Sequence, residues 1–169
     1  MSVFKTPGNF NNHIGLPLSL ANMPLETTHA VYELGMDGAG QLKELTSWLR
    51  PHIAIITTVG MAHMKGRITL CHSRLLHTYF LTFRDQCCKT NYLKVVTLFS
   101  FTAFKCINEI ALAKAEIFGG LDLNGVAIIP RDNEYFKTLM TECRDRYKVG
   151  KVLTFGRHRD SDVKLTKSR

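Results

Sequence analysis

The sequence predicts an α/β domain in which a mostly parallel sheet is flanked by helices. Short apolar runs rich in β-branched residues alternate along the chain with amphipathic stretches of helical spacing. That alternation is typical of a parallel sheet, because parallel neighbours need a crossover connection between them. The length of 169 residues, 45% of them hydrophobic, suits a single domain with a packed core.

Four runs are predicted to form buried strands. Each consists mainly of Val, Ile, Leu, Ala or aromatic residues and is bounded by polar residues, glycine or proline. They are HAVYEL (29–34), HIAIITTVG (52–60), GVAIIP (125–130) and KVLTFG (151–156).

Three helices are predicted between these strands, over residues 38–50, 107–120 and 132–147. The first places its leucines on one face and ends before Pro51, which cannot continue a helix. The second has the clearest apolar spacing and ends at Gly-Gly, and the third begins with Asp132 as its N-cap.

Residues 65–103 break the alternation of strands and helices. They hold three of the five cysteines, carry a net charge of +5 and show neither a helical nor an alternating period. We interpret them as an insertion that leaves the domain as a peripheral, mobile excursion. The alternative is an ordinary crossover with its own helix. Residues 157–169 are predicted to form a flexible, solvated tail.

The charge and the cysteines exclude several classes of protein. The chain has a net charge of +8, and the basic excess lies in residues 65–103 and 137–169, but no nucleic-acid-binding motif accompanies it. Specific nucleic-acid binding is therefore not expected. No apolar run approaches the ~18 residues that span a bilayer, and no secretory signal is present, so we expect a cytoplasmic protein without a membrane partner. Five cysteines without zinc-site spacing predict reduced thiols.

Two polar side chains are predicted at the ligand-binding edge of the sheet. Glu33 ends the strand AVYEL, and His63 follows the strand AIITTVG by three residues. In open α/β sheets, ligands bind beyond the carboxyl ends of the strands. A carboxylate and an imidazole there could bind Mg²⁺ together with phosphate oxygens and water. The alternative is that Glu33 pairs with a basic side chain and His63 caps a loop.

Lys114 and the segment TPGNFNNHIGLPLSL (6–20) are further candidates. Lys114 lies on or beside the apolar face of its helix, where burial would lower its pKa and leave an amine able to act as a nucleophile or to be carbamylated. It could equally extend its amine to solvent. The asparagines of the segment could hold phosphate or sugar oxygens, or could cap the helix that follows.

Three long segments resemble the central domain of the Mur ligases: residues 6–20, 30–64 and 107–136. The resemblance implies a cytoplasmic, ATP- and Mg²⁺-dependent ligase of peptidoglycan synthesis, and hence a role in cell-wall formation, cell shape and division. The reaction implied is phosphorylation of the carboxylate of UDP-N-acetylmuramoyl-tripeptide, followed by attack of the D-alanyl-D-alanine amine on the acyl phosphate.

The same resemblance implies roles for individual residues. Glu33 and His63 match the Mg²⁺-binding glutamate and histidine of the family, and Lys114 matches its carbamylated lysine, which helps to place a second metal. The substrate-binding motif is matched by Thr6, Asn9, Asn11 and Asn12. The loop near the adenine is matched by Asp132 and Asn133.

The chain also departs from the family pattern. None of its residues forms the glycine-rich phosphate loop with its Lys-Ser or Lys-Thr, which the family carries before the segment TPGNFNN. Thr58 and Pro130 each stand where the family usually has asparagine, and 51 positions separate His63 from Lys114. We therefore expect residues 1–169 to be a partial central domain, without the uridine-binding and C-terminal domains, that is not catalytic alone. A non-catalytic remnant and a basic interaction module are the alternatives.

Overall fold

The computed structural model describes residues 1–60, 93–100, 104 and 106–166, and contains one seven-stranded sheet in the order β1-β2-β4-β3-β5-β6-β7. All six neighbouring pairs are parallel, which confirms the predicted fold class. The strands are β1 (Val3–Lys5), β2 (His29–Met36), β3 (Ile53–Ile55), β4 (Leu93–Ser100), β5 (Val126–Pro130), β6 (Lys151–Gly156) and β7 (Val163–Lys164).

Four α-helices connect the strands in the described part of the chain. They are α1 (Gly15–Ala21), α2 (Gln41–Leu49), α3 (Ile107–Ala115) and α4 (Phe136–Thr141). A 3₁₀ segment, Glu116–Gly120, continues α3, and a π-helical segment, Glu142–Arg146, continues α4. None of the helices in the described ranges combines the length and the apolar character that crossing a bilayer requires.

The helix boundaries differ from the predicted ones for local reasons. Helix α2 ends where Arg50 adopts the left-handed conformation (φ 46°) immediately before Pro51. Helix α4 does not begin at Asp132, because the Asp132 carboxylate accepts the backbone N–H groups of Arg157 and His158. The chain between β5 and α4 instead forms a turn in which Asn133 Oδ1 accepts the N–H of Tyr135 at 3.0 Å.

The peripheral position predicted for residues 65–103 is wrong for the carboxyl end of that segment. Residues 93–100 form β4, which lies between β2 and β3 in the middle of the sheet and pairs with both. They are therefore not a peripheral excursion. Their run LKVVTLFS has the β-branched, apolar character of a buried strand, and Val96 is fully buried. The rest of the predicted insertion, residues 65–92 and 101–103, lies outside the described residues.

The predicted flexible tail is also ordered over the part that the structure describes. Strand β7 pairs with β6, and the Asp162 carboxylate accepts hydrogen bonds from the backbone and the hydroxyl of Thr154, at 2.8 and 2.7 Å. These hydrogen bonds lower the pKa of Asp162. The chain after Gly156 thus extends the sheet rather than leaving it.

The core fills the space between the sheet and its helices. The predicted leucine face of α2 is buried, and so are large side chains from α3, the 3₁₀ segment, α4 and four strands. Gly120 lets the 3₁₀ segment approach α2 closely, since a Cβ at this position would lie 2.4 Å from the carbonyl carbon of Thr46. The close contact fixes the end of α3, and hence Lys114, against the rest of the domain.

Candidate active site

The register of the sheet places Glu33 level with the end of β3. Glu33 and Ile55 are both opposite Thr97 of β4, from the two sides of that strand. Strand β2 continues to Met36, so Glu33 lies inside the strand rather than at its end as predicted. It nevertheless lies beyond the last residue of the shorter neighbour β1. Because parallel strands are about 4.8 Å apart, Glu33 and the end of β3 are separated by roughly 10 Å across the sheet.

Glu33 is held by neutral groups, which together form what we call the glutamate cluster: Thr6, Asn11 and Glu33. The hydroxyl of Thr6 accepts the backbone N–H of Glu33 at 3.1 Å. The Asn11 amide donates to Glu33 Oε1 at 3.4 Å, a long and therefore weak hydrogen bond. The alternative prediction was that Glu33 pairs with a basic side chain. Among the described residues it forms no such ion pair.

The asparagine-rich segment combines capping with contact to β2. Asn12 Oδ1 accepts the N–H groups of Ile14 and Gly15 at the start of α1, so the capping role is confirmed for this residue. The Asn11 carbonyl accepts the N–H of Gly35 at 2.7 Å. A Cβ on Gly35 would lie 3.0 Å from the Asn11 side chain. The segment is therefore pressed against the carboxyl end of β2.

A cavity of about 310 Å³ opens beside this contact. Three of the four predicted substrate-binding residues line it, namely Asn9, Asn11 and Asn12, whereas Thr6 does not. The opposite wall comes from the end of β2 and the first turn of α2 and includes Asp37, Gln41 and Glu44. Among the described residues, the lining contains two carboxylates and neither lysine nor arginine, so its charge favours a neutral or cationic group over a phosphate.

The residues of that opposite wall were not predicted from the sequence. Asp37 and Gln41 follow directly on β2, and the Gln41 side chain accepts the N–H of Asp37 at 2.8 Å. Their position after a strand and in the first turn of a helix was the available signal, since such turns border the ligand edge of an α/β sheet.

Lys114 is buried at the last turn of α3 with 2% of its surface exposed. Its Nζ donates a hydrogen bond to the Thr58 carbonyl, in the loop after β3, at 2.7 Å. Burial lowers the pKa of Lys114 to about 8, and no charged group of the described residues contributes to that shift. Lys114 is therefore buried, as one of the two predictions had it, and its amine does not extend to solvent.

Asn133 binds the next carbonyl of the same loop. Its Nδ2 donates to the Val59 carbonyl at 2.8 Å, across 74 positions of sequence. We call this arrangement the lysine clasp: Lys114 and Asn133 as donors, with Thr58 and Val59 as acceptors. Asn133, which was predicted to lie near the nucleotide, thus contacts protein backbone. Its neighbour Asp132 also contacts backbone, since it accepts the N–H groups of Arg157 and His158, and these hydrogen bonds lower the pKa of Asp132.

The predicted metal ligands can be compared only in part. His63 lies outside the described residues. Glu33 and Lys114 both lie near the carboxyl edge of the central strands, but no hydrogen bond or ion pair joins them. Within the described ranges, no group of three His, Cys, Asp or Glu side chains is arranged to hold a metal ion. A protonated lysine cannot be a ligand, so the donor set would fit a divalent cation only after the amine is converted to an anion.

Comparison with known proteins places these features in a family. The Mur ligase middle domain model matches residues 1–70 and 101–168, leaving a gap that includes β4. The UDP-N-acetylmuramoyl-tripeptide–D-alanyl-D-alanine ligase of Rickettsia prowazekii is 28% identical over 96% of this chain and 28% of its own length. The ligase of the same name from Bacillus subtilis is 49% identical over 63 residues, which are 37% of this chain and 14% of the relative.

A solved structure shows the same fold. MurF from Acinetobacter baumannii superposes with a TM-score of 0.67 and 22% identity, over 98% of this chain and 27% of that one. The chain thus spans little more than a quarter of the length of its relatives. The family model covers most of the chain in two segments that include both the glutamate cluster and the lysine clasp. The chain therefore belongs to the Mur ligase family, as a fragment corresponding to its middle domain.

Proposed function

We propose that this chain supplies the middle domain of an ATP-dependent ligase that joins D-alanyl-D-alanine to UDP-N-acetylmuramoyl-tripeptide in the cytoplasm. The main support for the proposal is the environment of Lys114. Its amine is buried at the carboxyl edge of the sheet, has a lowered pKa and donates a hydrogen bond to the Thr58 carbonyl. The names of the curated relatives support the choice of substrates. Peptidoglycan precursor synthesis is the corresponding process.

Lys114 is proposed to act as a carbamate. Its neutral amine attacks the carbon of CO₂, a nitrogen–carbon bond forms, one C=O electron pair moves to oxygen, and the nitrogen releases a proton to solvent. A lowered pKa favours this step because the neutral amine is the nucleophile. The product is an anion with two oxygen donors, which Mg²⁺ prefers to nitrogen. Burial without a counter-charge disfavours the ammonium form and so leaves more of the reactive neutral amine, while the charge of the carbamate would be compensated by the bound metal.

Glu33, His63 and carbamylated Lys114 are proposed to hold Mg²⁺. When bound, the metal supplies neutralisation of the negative charge that develops on the transferred phosphoryl group. The chain's own contribution is to fix the Glu33 backbone through the Thr6 hydroxyl and its carboxylate through the Asn11 amide.

Thr6, Asn9, Asn11 and Asn12 are proposed to contact the substrates. The described residues that line the cavity beside them include Asp37 and Glu44 and, apart from His13, no basic side chain. We therefore assign the cavity to an uncharged or amine-bearing part of a peptide rather than to a phosphate. Asp132 and Asn133 are proposed to border the nucleotide. They would do so by tying the turn after β5 to the loops after β6 and β3, since Asp132 accepts the N–H of His158 and Asn133 donates to the Val59 carbonyl.

The chain as given is proposed to be inactive alone, because no phosphate-binding loop occurs within its 169 residues. Such a loop supplies the amides and the lysine that hold the β and γ phosphates. We expect no phosphate release when the purified chain is incubated with ATP, Mg²⁺, UDP-N-acetylmuramoyl-tripeptide and D-alanyl-D-alanine. Turnover that disappears in Lys114→Ala would contradict the proposed inactivity. Salt-sensitive binding to nucleic acid would instead favour the basic interaction module.

A further inference from the structure

The lysine clasp holds two consecutive carbonyls of one loop from two different elements. Lys114 reaches the Thr58 carbonyl from α3 at 2.7 Å, and Asn133 reaches the Val59 carbonyl from the β5–α4 turn at 2.8 Å. The side chain of Val59 is itself buried, with 5% of its surface exposed. The two acceptors belong to adjacent peptide units that meet at Val59, and burial of the Val59 side chain restricts rotation between these units. Displacement of one carbonyl is therefore transmitted to the other.

Asn133 is suited to holding the Val59 carbonyl because both the oxygen and the nitrogen of its side-chain amide form hydrogen bonds. Oδ1 accepts the N–H of Tyr135 at 3.0 Å, which fixes the side chain to its own turn, and Nδ2 is then directed at Val59. The contact with the loop is made to main-chain atoms. The departure from the family pattern at Thr58 therefore leaves this arrangement unchanged, since any residue at position 58 supplies a carbonyl.

We propose that Asn133 is a positioning residue for Lys114: by holding the Val59 carbonyl, it keeps the Thr58 carbonyl in place as the acceptor for the lysine nitrogen. The inference rests on the proposed carbamylation of Lys114. A carbamate nitrogen retains one N–H, which is enough to keep the hydrogen bond to Thr58. The ammonium form has three N–H groups and can turn to another acceptor, whereas the carbamate has one N–H and depends on an acceptor that is held in place. Loss of the hold on the Thr58 carbonyl should therefore disfavour the carbamate more than the unmodified lysine.

The test is the amount of Lys114 carbamate in the chain equilibrated with ¹³C-bicarbonate, measured from its ¹³C NMR resonance and assigned by its loss in Lys114→Met. In Asn133→Ser, the short hydroxyl can still accept the N–H of Tyr135 but cannot reach Val59. We expect about a fivefold lower carbamate population, the factor that one ordinary hydrogen bond corresponds to. Asn133→Gln, which keeps the carboxamide, should recover part of the signal.

Asn22→Ser is the matched control. Asn22 Nδ2 also donates to a backbone carbonyl, that of Leu18, at 2.8 Å, but on the exposed end of α1. It should leave the carbamate population unchanged. An undiminished carbamate signal in Asn133→Ser, with the same melting transition as the unaltered chain, would overturn the inference and leave the proposed function intact. Absence of any carbamate in the unaltered chain would overturn the proposed function together with this inference.

Discussion

The glutamate cluster holds an anion with neutral donors near solvent, whereas the lysine clasp holds an amine in the core. Glu33 is partly exposed, and its contacts are a threonine hydroxyl and an asparagine amide. Lys114 is 2% exposed, and its Nζ contacts a main-chain carbonyl. Both lie near the same edge of one sheet. Burial, more than the number of hydrogen bonds, therefore decides which of the two residues is costly to keep in its charged form.

The largest effect is expected in the pH dependence of stability. The pKa of Lys114 is lowered from its ordinary value of 10.5 to about 8, so between these values the unfolded chain binds a proton that the folded chain does not. Stability should therefore rise with pH across that window, and the penalty should be fully present below pH 8. A shift of this size corresponds to about 3 kcal/mol as an upper limit. Urea unfolding of the unaltered chain and of Lys114→Met, compared at pH 7.5, 9 and 10.5, isolates the contribution of Lys114. Parallel pH profiles of the two proteins would contradict the burial of an uncompensated amine.

The next largest effect is an increase in the free energy of unfolding at neutral pH when the Lys114 amine is removed. Lys114→Met keeps most of the side-chain volume and removes the group whose burial is unfavourable, so the free energy of unfolding at pH 7 should rise by about 2 kcal/mol. The exposed Thr58 residue can exchange the lost hydrogen bond for water. Lys43→Met, on the exposed face of α2, is the control and should change stability little. A destabilised Lys114→Met protein would mean that the Thr58 hydrogen bond outweighs the cost of burying the amine.

These two regions also differ in how far the sequence predicts them. The apolar spacing of 107–120 predicts α3 and places Lys114 against the core, because helical periodicity is local information. The Asn133–Val59 bond is not predicted, since its partners are 74 positions apart and the acceptor is a main-chain atom that carries no sequence signal. Glu33 is predicted at a strand end, but β2 runs three residues further because β4 pairs with it as far as Met36.

Strand β4 shows why the sheet order was only partly predictable. Its apolar run lies next to a basic, cysteine-containing stretch, and the composition of the whole segment outweighed the strand signal of its last eight residues. Strands β1 and β7 have three and two residues, too few to show a period of two. The fold class was predictable because the remaining strands and helices alternate strongly.

A smaller effect is expected from the hydroxyl that supports Glu33. Thr6→Val keeps the β-branched shape and removes the acceptor of the Glu33 N–H, which lies in a partly buried position. The free energy of unfolding should fall by about 1 kcal/mol. Thr28→Val is the control. The Thr28 hydroxyl accepts the N–H of Ser2 at 3.0 Å, donates to the Ser2 carbonyl at 2.7 Å and contacts His29 Nδ1 at 3.0 Å, all in exposed positions where water can replace these contacts. If the free energy of unfolding fell equally in the two variants, partial burial would not strengthen the hydrogen bond between Thr6 and Glu33.

The smallest effect on stability is expected from Glu33 itself. Glu33→Gln keeps the shape of the side chain and an oxygen that can accept the Asn11 amide, while the Thr6 contact is made to the backbone and is unaffected. Because Glu33 forms no ion pair among the described residues, the free energy of unfolding should change by less than about 0.5 kcal/mol. Binding should respond differently. If Glu33 is a metal ligand, paramagnetic broadening of its neighbours by Mn²⁺ should be seen in the unaltered chain and be lost in Glu33→Gln, since an amide is a much weaker ligand for a hard cation. Glu44→Gln, on the other wall of the cavity, should keep the broadening. A Glu33→Gln protein that is clearly destabilised would show that the carboxylate has a structural partner, and the contrast with the lysine clasp would then disappear.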